Sequence, residues 1–495
     1  MTVTGRTVSR LAFIACLMAM VAACASRTTP PVVSVPQPAP QAPEPPVSPA
    51  PEPPSPPVAL PPPEVVSRPC ALISEPGEPI TTVALTDRIN PANAPRPSND
   101  SERLLFRQLY ESLVRVDCEG RVTPALASAW RGSVDGRSWI VTLRPGAQFA
   151  DGSPVTASDV VAGWSRDGAV GELRPHVNRL VQSLISIDSQ TIAITVRGQR
   201  TDSPLVLAHT DLAIARPVPG SPWPLGTRAT QIAGDREALV VIAATDSASA
   251  VRFLVAPGDP RNLLDKGVDL LVTRDPAALN YAATLPQLQS IPLAWQRIEV
   301  LLAPGRPRTS PALSDDERQT LASDAVRGEA RGAARPFWWQ MLTDCEVAPR
   351  QPRNPSAPAS GRIVYDAADG AARDLAERLV GLASAAGSSA SPILKALAPD
   401  SGRRTFQRAT GLTGEALALA TRNGTDAGYI VSLDRHPLDP CHELQLITEG
   451  ARWLDPETVV PLVDTRLRAI VRQGRSGVDM EWDGGLLITS VNGPR

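Results

Sequence analysis

A run of proline fixes where folding of this chain can begin. Between residues 30 and 63 about half of the side chains are Pro, interleaved with Ala, Val, Ser and Glu. Each Pro removes a backbone donor and fixes φ, so this stretch can neither nucleate a helix nor enter a sheet interior. It reads as an extended polyproline tether reaching on the order of 100 Å, at roughly 3.1 Å per residue. Everything that packs must therefore lie after it. Ahead of it, Arg6 and Arg10 precede an apolar run, residues 11–23, that stops at Cys24. A basic start and an apolar run of that length fit a secretory signal and are too short to span a bilayer as a helix.

Val21, Ala22 and Ala23 before Cys24 resemble a lipobox, in which small residues admit the signal peptidase and the Cys then carries the lipid. The expected organisation is a signal peptide over 1–23, a lipidated Cys24 with its tether over 24–68, and a folded part over 69–495. That places the protein outside the cytoplasm, in the periplasm or at the cell surface, held to a membrane by lipid. The full chain has 495 residues, 42% of them hydrophobic and 20% charged. This length asks for two or three lobes, and the composition for a globular fold. Lys and Arg total 49 against 51 Asp and Glu, a formal charge of −2. Without a net positive field there is no general drive toward polyanions, and no nucleic-acid partner is expected.

Export also frames the cysteines. Beyond Cys16 and Cys24 there are four: Cys70, Cys118, Cys345 and Cys441. An even number in an exported chain suggests two disulfides with three possible connectivities. Pairing Cys70 with Cys118 and Cys345 with Cys441 keeps each bridge within one half of the chain; four free buried cysteines are the alternative. No CxxC pair is present, which argues against structural zinc.

Along the folded part, Asn99 followed three residues later by Glu102 reads as a helix start. Leu105, Leu109 and Leu113 continue it at helical spacing. Asp135-Gly136 marks a tight turn, after which Trp139, Val141 and Leu143 alternate with Ile140, Thr142 and Arg144 as in a strand. A second turn at Asp151-Gly152 leads to Thr156, a capping residue for a helix carrying Val160, Val161 and Trp164. Residues 192–196 are β-branched. In the second half, Ile363-Val364-Tyr365 reads as a strand, and Ala372, Leu375, Ala376, Leu379 and Leu382 as a helical stripe. Residues 428–431 are strand-like and run into a polar loop over 434–442. Such alternation belongs to α/β sheets.

Residues 109–164 carry a resemblance. Leu109-Tyr110-Glu111-Ser112-Leu113, then Pro124-Ala125-Leu126-Ala127, Trp130 and Asp135-Gly136 are similar to segments of the family 5 extracellular solute-binding proteins. These are the oligopeptide-, dipeptide- and nickel-binding components of ABC importers. Trp139 to Gly146 and the run Phe149-Ala150-Asp151-Gly152-Ser153-Pro154-Val155-Thr156-Ala157-Ser158-Asp159-Val160 resemble the same family. The resemblance implies a type II periplasmic-binding-protein-like α/β fold: two α/β lobes, an extra small lobe and an interlobe cleft. The expected boundaries are lobe I over 69–98, 205–272 and 455–495, the small lobe over 99–204, and lobe III over 273–454. It also implies a peptide or other small solute as ligand, an ABC permease as partner, a monomer and no cofactor. Three departures fall on the ligand side, one of them Thr245-Asp246-Ser247-Ala248 where the family's N-YW segment should come. After Leu225-Gly226-Thr227 the family usually continues Gly-Pro-Tyr, but here Arg228-Ala229-Thr230 follows. The late loop that offers an Asp to a peptide's amino group resembles Leu433-Asp434…Asp439-Pro440, with a longer Asp-to-Pro spacing.

No catalytic constellation is present: no GxSxG, HExxH or Walker loop, and no SxxK with partner motifs, so no enzyme is expected. His436, Asp439, Cys441, His442 and Glu443 could in principle ligate a transition metal. Pro437 and Pro440 stiffen that loop and Cys441 is a disulfide candidate, so a solvated loop is the preferred reading and no metal is expected. Trp338 and Trp339 read as a core pair rather than a stacking platform. The candidate ligand residues are Asp434, His436 and Asp439, with Asp434 expected to meet a ligand amine and to be dispensable for the ligand-free fold. The expected function is capture of a peptide-like or other small solute for an importer. The alternative is a lipoprotein that keeps the fold as an envelope interaction or sensing module.

Overall fold

The chain divides into two units, Met1–Val65 and Val66–Arg495. The computed structural model describes residues 70–166, 172–197, 203–234, 238–243, 249–304, 313–314, 316–317, 320–321, 329, 361–385, 406–435, 440–448, 450–454 and 458–492. Three sheets organise them. A seven-stranded mixed sheet has the order Thr230–Gly234, Ala238–Ala243, Ala250–Val255, Thr82–Leu85, Leu270–Thr273, Arg468–Arg472, Leu288–Pro292. Alternation along its strands sends side chains to two separate cores. Val83, Leu85, Leu270, Ala469 and Val471 enter one with Phe253 and Leu105. Ala84, Leu271 and Ile470 enter the other, against Leu263, Leu264 and Ala282 of two short helices.

A five-stranded sheet has the order Arg408–Leu412, Arg362–Asp366, Gly428–Asp434, Arg297–Leu302, Val459–Thr465. The helix Gly370–Ala385 covers it, burying the stripe Ala372, Leu375, Ala376 and Leu379. A four-stranded antiparallel sheet, Ala127–Gly132, Ser138–Leu143, Thr191–Val196 and Val181–Ser186, carries the small lobe. Trp139, Val141 and Leu143 point into its core, where Trp164 from the helix Ala157–Trp164 is fully buried. Thr156 caps that helix in a reciprocal box with Asp159. The architecture is the type II α/β form. No described helix is long and apolar enough to cross a membrane.

Three features differ from the sequence expectations. The helix begun at Asn99 ends at Phe106 rather than running through Leu113. A longer helix would hold Leu105, Leu109 and Leu113 on one face. Instead Leu105 and Leu109 fill the core of the seven-stranded sheet and Leu113 fills that of the small lobe. The chain leaves the helix to pass from one core to the other. Gly226 marks how close that passage is, because a Cβ there would stand 2.1 Å from the Leu109 carbonyl oxygen. Second, the helix Asp100–Phe106 packs on the seven-stranded sheet, whereas the resemblance implies a small lobe that begins at residue 99. Third, Leu288–Pro292 pairs in the seven-stranded sheet and Val459–Thr465 in the five-stranded one, so strands cross the expected limits at 272 and 455.

Cys70 and Cys118 form a disulfide. Cys441, in the helix Pro440–Ile447, is also disulfide-bonded. Cys24, Cys345, Trp338 and Trp339 lie outside the described residues.

Candidate functional site

Strand register builds the site. The strand Arg297–Leu302 runs antiparallel to Gly428–Asp434, with Arg297 opposite Asp434 and Glu299 opposite Ser432. Residues two apart share a face. All four polar side chains therefore stand on one side of the lobe III sheet, and directly opposed residues are close enough to interact. Arg297 Nε donates to Asp434 Oδ1 at 2.7 Å, and its Nη1 to Asp369 Oδ2 at 3.1 Å. Asp369 precedes the helix Gly370–Ala385 and caps it, its Oδ1 accepting from the Ala371 and Ala372 amides at 3.0 and 3.1 Å. From the seven-stranded lobe, Arg103 Nη2 donates to Asp434 Oδ2 at 2.8 Å. Beside it Arg274 Nη2 donates to Asp100 Oδ2 at 3.0 Å. Asp434 thus ties a helix of one lobe to a strand of the other.

The Ser432 hydroxyl has one proton to donate but touches two carboxyl groups, Glu299 Oε2 at 2.7 Å and Asp369 Oδ2 at 2.6 Å. Both contacts can be hydrogen bonds only if one carboxyl carries a proton. Asp369 already receives two backbone N–H groups and a guanidinium, so the proton sits on Glu299, which donates to Ser432. Burial first, and then the charge of Asp369, pushes the Glu299 carboxyl up to about 8. Burial has the same sense at Asp100, but Arg274, Arg297 and Arg103 outweigh it and hold that carboxyl below its ordinary range.

Of these groups, Asp100, Arg103, Arg297, Asp369, Ser432 and Asp434 line a cavity of about 640 Å³ between the lobes. Its walls include Asp100 and Arg103 from the seven-stranded lobe, His176 and His209 from the small-lobe side, and Asp369 and Asp434 from lobe III. A cavity of this size suits a small organic ligand, and convergent polar groups would orient it. Among the described residues, no group of three or more His, Cys, Asp or Glu side chains is placed to hold a metal ion.

Of the sequence candidates, Asp434 stands in this wall, at the end of its strand, with both oxygens engaged by arginines. His436 and Asp439 lie outside the described residues. Sequence reading did not find Arg103, Arg297, Glu299, Asp369 or Ser432. One signal was available: Glu299 is a lone acid inside the apolar run Ile298 to Leu302, and a buried charge is expensive unless paired or neutralised.

Residues 121–234 match the family model described as bacterial extracellular solute-binding proteins, family 5 Middle. The periplasmic murein peptide-binding protein of Escherichia coli K12 is 44% identical over 62 residues, 12% of this chain and 11% of that protein. The nickel-binding periplasmic protein of the same organism is 34% identical over 76 residues, 15% and 14% of the two. Across the first such relatives the aligned stretches span 11% to 21% of their length. Among solved structures, a dipeptide binding protein from Pseudoalteromonas sp. SM9913 in complex with Met-Leu superposes with a TM-score of 0.56 at 12% identity, covering 83% of this chain and 99% of that one. The murein tripeptide binding protein of Escherichia coli gives 0.52 at 15% identity, covering 84% and 99%. At these identities the likeness carries the fold.

Proposed function

We propose that the chain is a family 5 bacterial extracellular solute-binding protein, a reading supported by the match of residues 121–234 to that family's model, and that it captures a peptide-like or other small solute outside the cytoplasm for an ABC importer. It does so as a lipid-anchored monomer, through Cys24 and the Pro-rich tether, and it hands the solute to a permease rather than transforming it. The observation that carries this reading is the cavity of about 640 Å³ walled by side chains of all three lobes. Closure of lobes around a solute is a population shift, and it requires a solute that favours the closed state. His436 and Asp439 belong to the proposed ligand loop with Asp434.

One observation favours the second reading, a fold-retaining envelope module without transport. The carboxylate of Asp434, placed by the resemblance to meet a ligand amine, is held by Arg103 and Arg297. Isothermal titration with di- and tripeptides separates the two. The first reading expects saturable binding that Ala418→Trp weakens at least tenfold, because Ala418 lines the cavity and an indole there intrudes on it. Binding unchanged by Ala418→Trp would remove the cleft from the account, and silence to every peptide would remove peptides as the ligand class. Cys24→Ser should move the protein from the membrane to the soluble fraction; persistence in the membrane would contradict lipid anchoring.

A further inference from the structure

A smaller cavity, about 70 Å³, adjoins the cleft and shares Pro97, Arg103 and Thr210 with its wall. Four arginines line it, with Glu111, Glu481 and Asp483. Arg103 is held by Asp434, and Arg107 by Glu481 and Asp483. Arg115 and Arg228 are the others. The Nε of each is buried without a partner among the described residues. Glu111, on the same wall, is occupied by Arg144, which reaches its two oxygens at 3.1 and 3.4 Å. Its Oε1 stands 3.8 Å from Arg228 Nη1, beyond hydrogen-bond reach.

The Arg228 side chain is only 9% exposed. Burial lowers its affinity for its proton, the charges of Glu111 and Glu481 oppose this, and Arg107 and Arg115 add repulsion. Its backbone is fixed: the Arg228 amide donates to the Leu109 carbonyl at 3.2 Å, and the Glu111 amide to Thr227 Oγ1 at 3.1 Å. A buried guanidinium whose nearest carboxylate stands beyond hydrogen-bond reach, beside a second of like charge, is an arrangement that an anion completes. The space admits a carboxylate group and little more than two waters, at about 30 Å³ each.

We propose that Arg228 and Arg115 form a binding site for a carboxylate-sized monoanion, either free or as the acidic end of a solute lying in the adjoining cleft. The test is a titration of the full chain with sodium acetate at fixed ionic strength, balanced by a bulky sulfonate, reading the melting temperature. Wild type should show a saturable rise, Arg228→Gln none, and Arg115→Gln a half-saturation at least tenfold higher. Crystals soaked in sodium bromide should show an anomalous peak within reach of Arg228, which decides the matter if Arg228→Gln does not fold. A rise that does not saturate, or that both variants retain, together with no bromide peak, would overturn the site. Competition between acetate and a co-purified solute identifies the acidic end of that solute as the occupant; independence identifies a free anion. Because acetate needs no solute in the cleft, failure here leaves solute capture standing, and failure of solute capture leaves the acetate result standing.

Discussion

Asp434 shows what a side chain's neighbours do to a role read from sequence. Its place at a strand end was legible, but its partners Arg103 and Arg297 lie 331 and 137 residues away in the chain. Nothing local announces them. These pairs argue against the expectation that Asp434 is dispensable for the ligand-free fold. The side chains of Arg103 and Arg297 are 18% and 19% exposed, and stranding partly buried guanidinium groups costs about 3–5 kcal/mol. Asp434→Ala should therefore lower the stability of the ligand-free protein by that order in chemical denaturation; an unchanged midpoint would show the pairs to be idle. Glu299 offers a second test at this scale. Its carboxyl is raised from an ordinary value of 4.5 to about 8, so the folded state holds a proton that the unfolded state gives up. Its contribution is present in full below the ordinary carboxylate range and is lost as pH rises through about 8, at roughly 1.4 kcal/mol per pH unit between the two values. Glu299→Gln keeps a donor for Ser432 and removes the titration. The melting temperature of wild type relative to this variant should fall from pH 5 to pH 8 and then level off. Parallel curves would place the proton elsewhere.

Elements were legible wherever local chemistry decides them. Thr156 announced the helix Ala157–Trp164, because a cap is satisfied within four residues; the structure adds Asp159 as the other half of a capping box. Alternation at Trp139, Val141 and Leu143 announced its strand, because one face is buried and the other is not. The helix from Asn99 was right at its start, where Asn99 accepts from the Glu102 amide, and wrong at its end. Helical spacing of leucines cannot distinguish one core from two, and here Leu109 and Leu113 serve different cores. Thr156→Ala removes the cap and should cost about 1 kcal/mol, measured as a shift in denaturant midpoint at constant slope. A much larger loss would mean that Thr156 also supports the lobe through contacts beyond the cap.

For the whole molecule, the α/β class and the type II architecture followed from matched segments in the first third of the chain. The membership of each strand did not. Leu288–Pro292 and Val459–Thr465 join sheets on the far side of the expected limits because pairing is non-local, and a strand's partners are not written in its own residues. The cleft exists only once those sheets face one another, which is why its polar wall was the least legible part. The central claim is that this cleft holds a solute. Native mass spectrometry of the protein, exported and purified without denaturation, tests it most directly. The account predicts one stoichiometric adduct of small mass, lost after unfolding and refolding in clean buffer and carried at lower occupancy by Ala418→Trp. A bare mass from the exported wild type, matching that of the refolded protein, would contradict it.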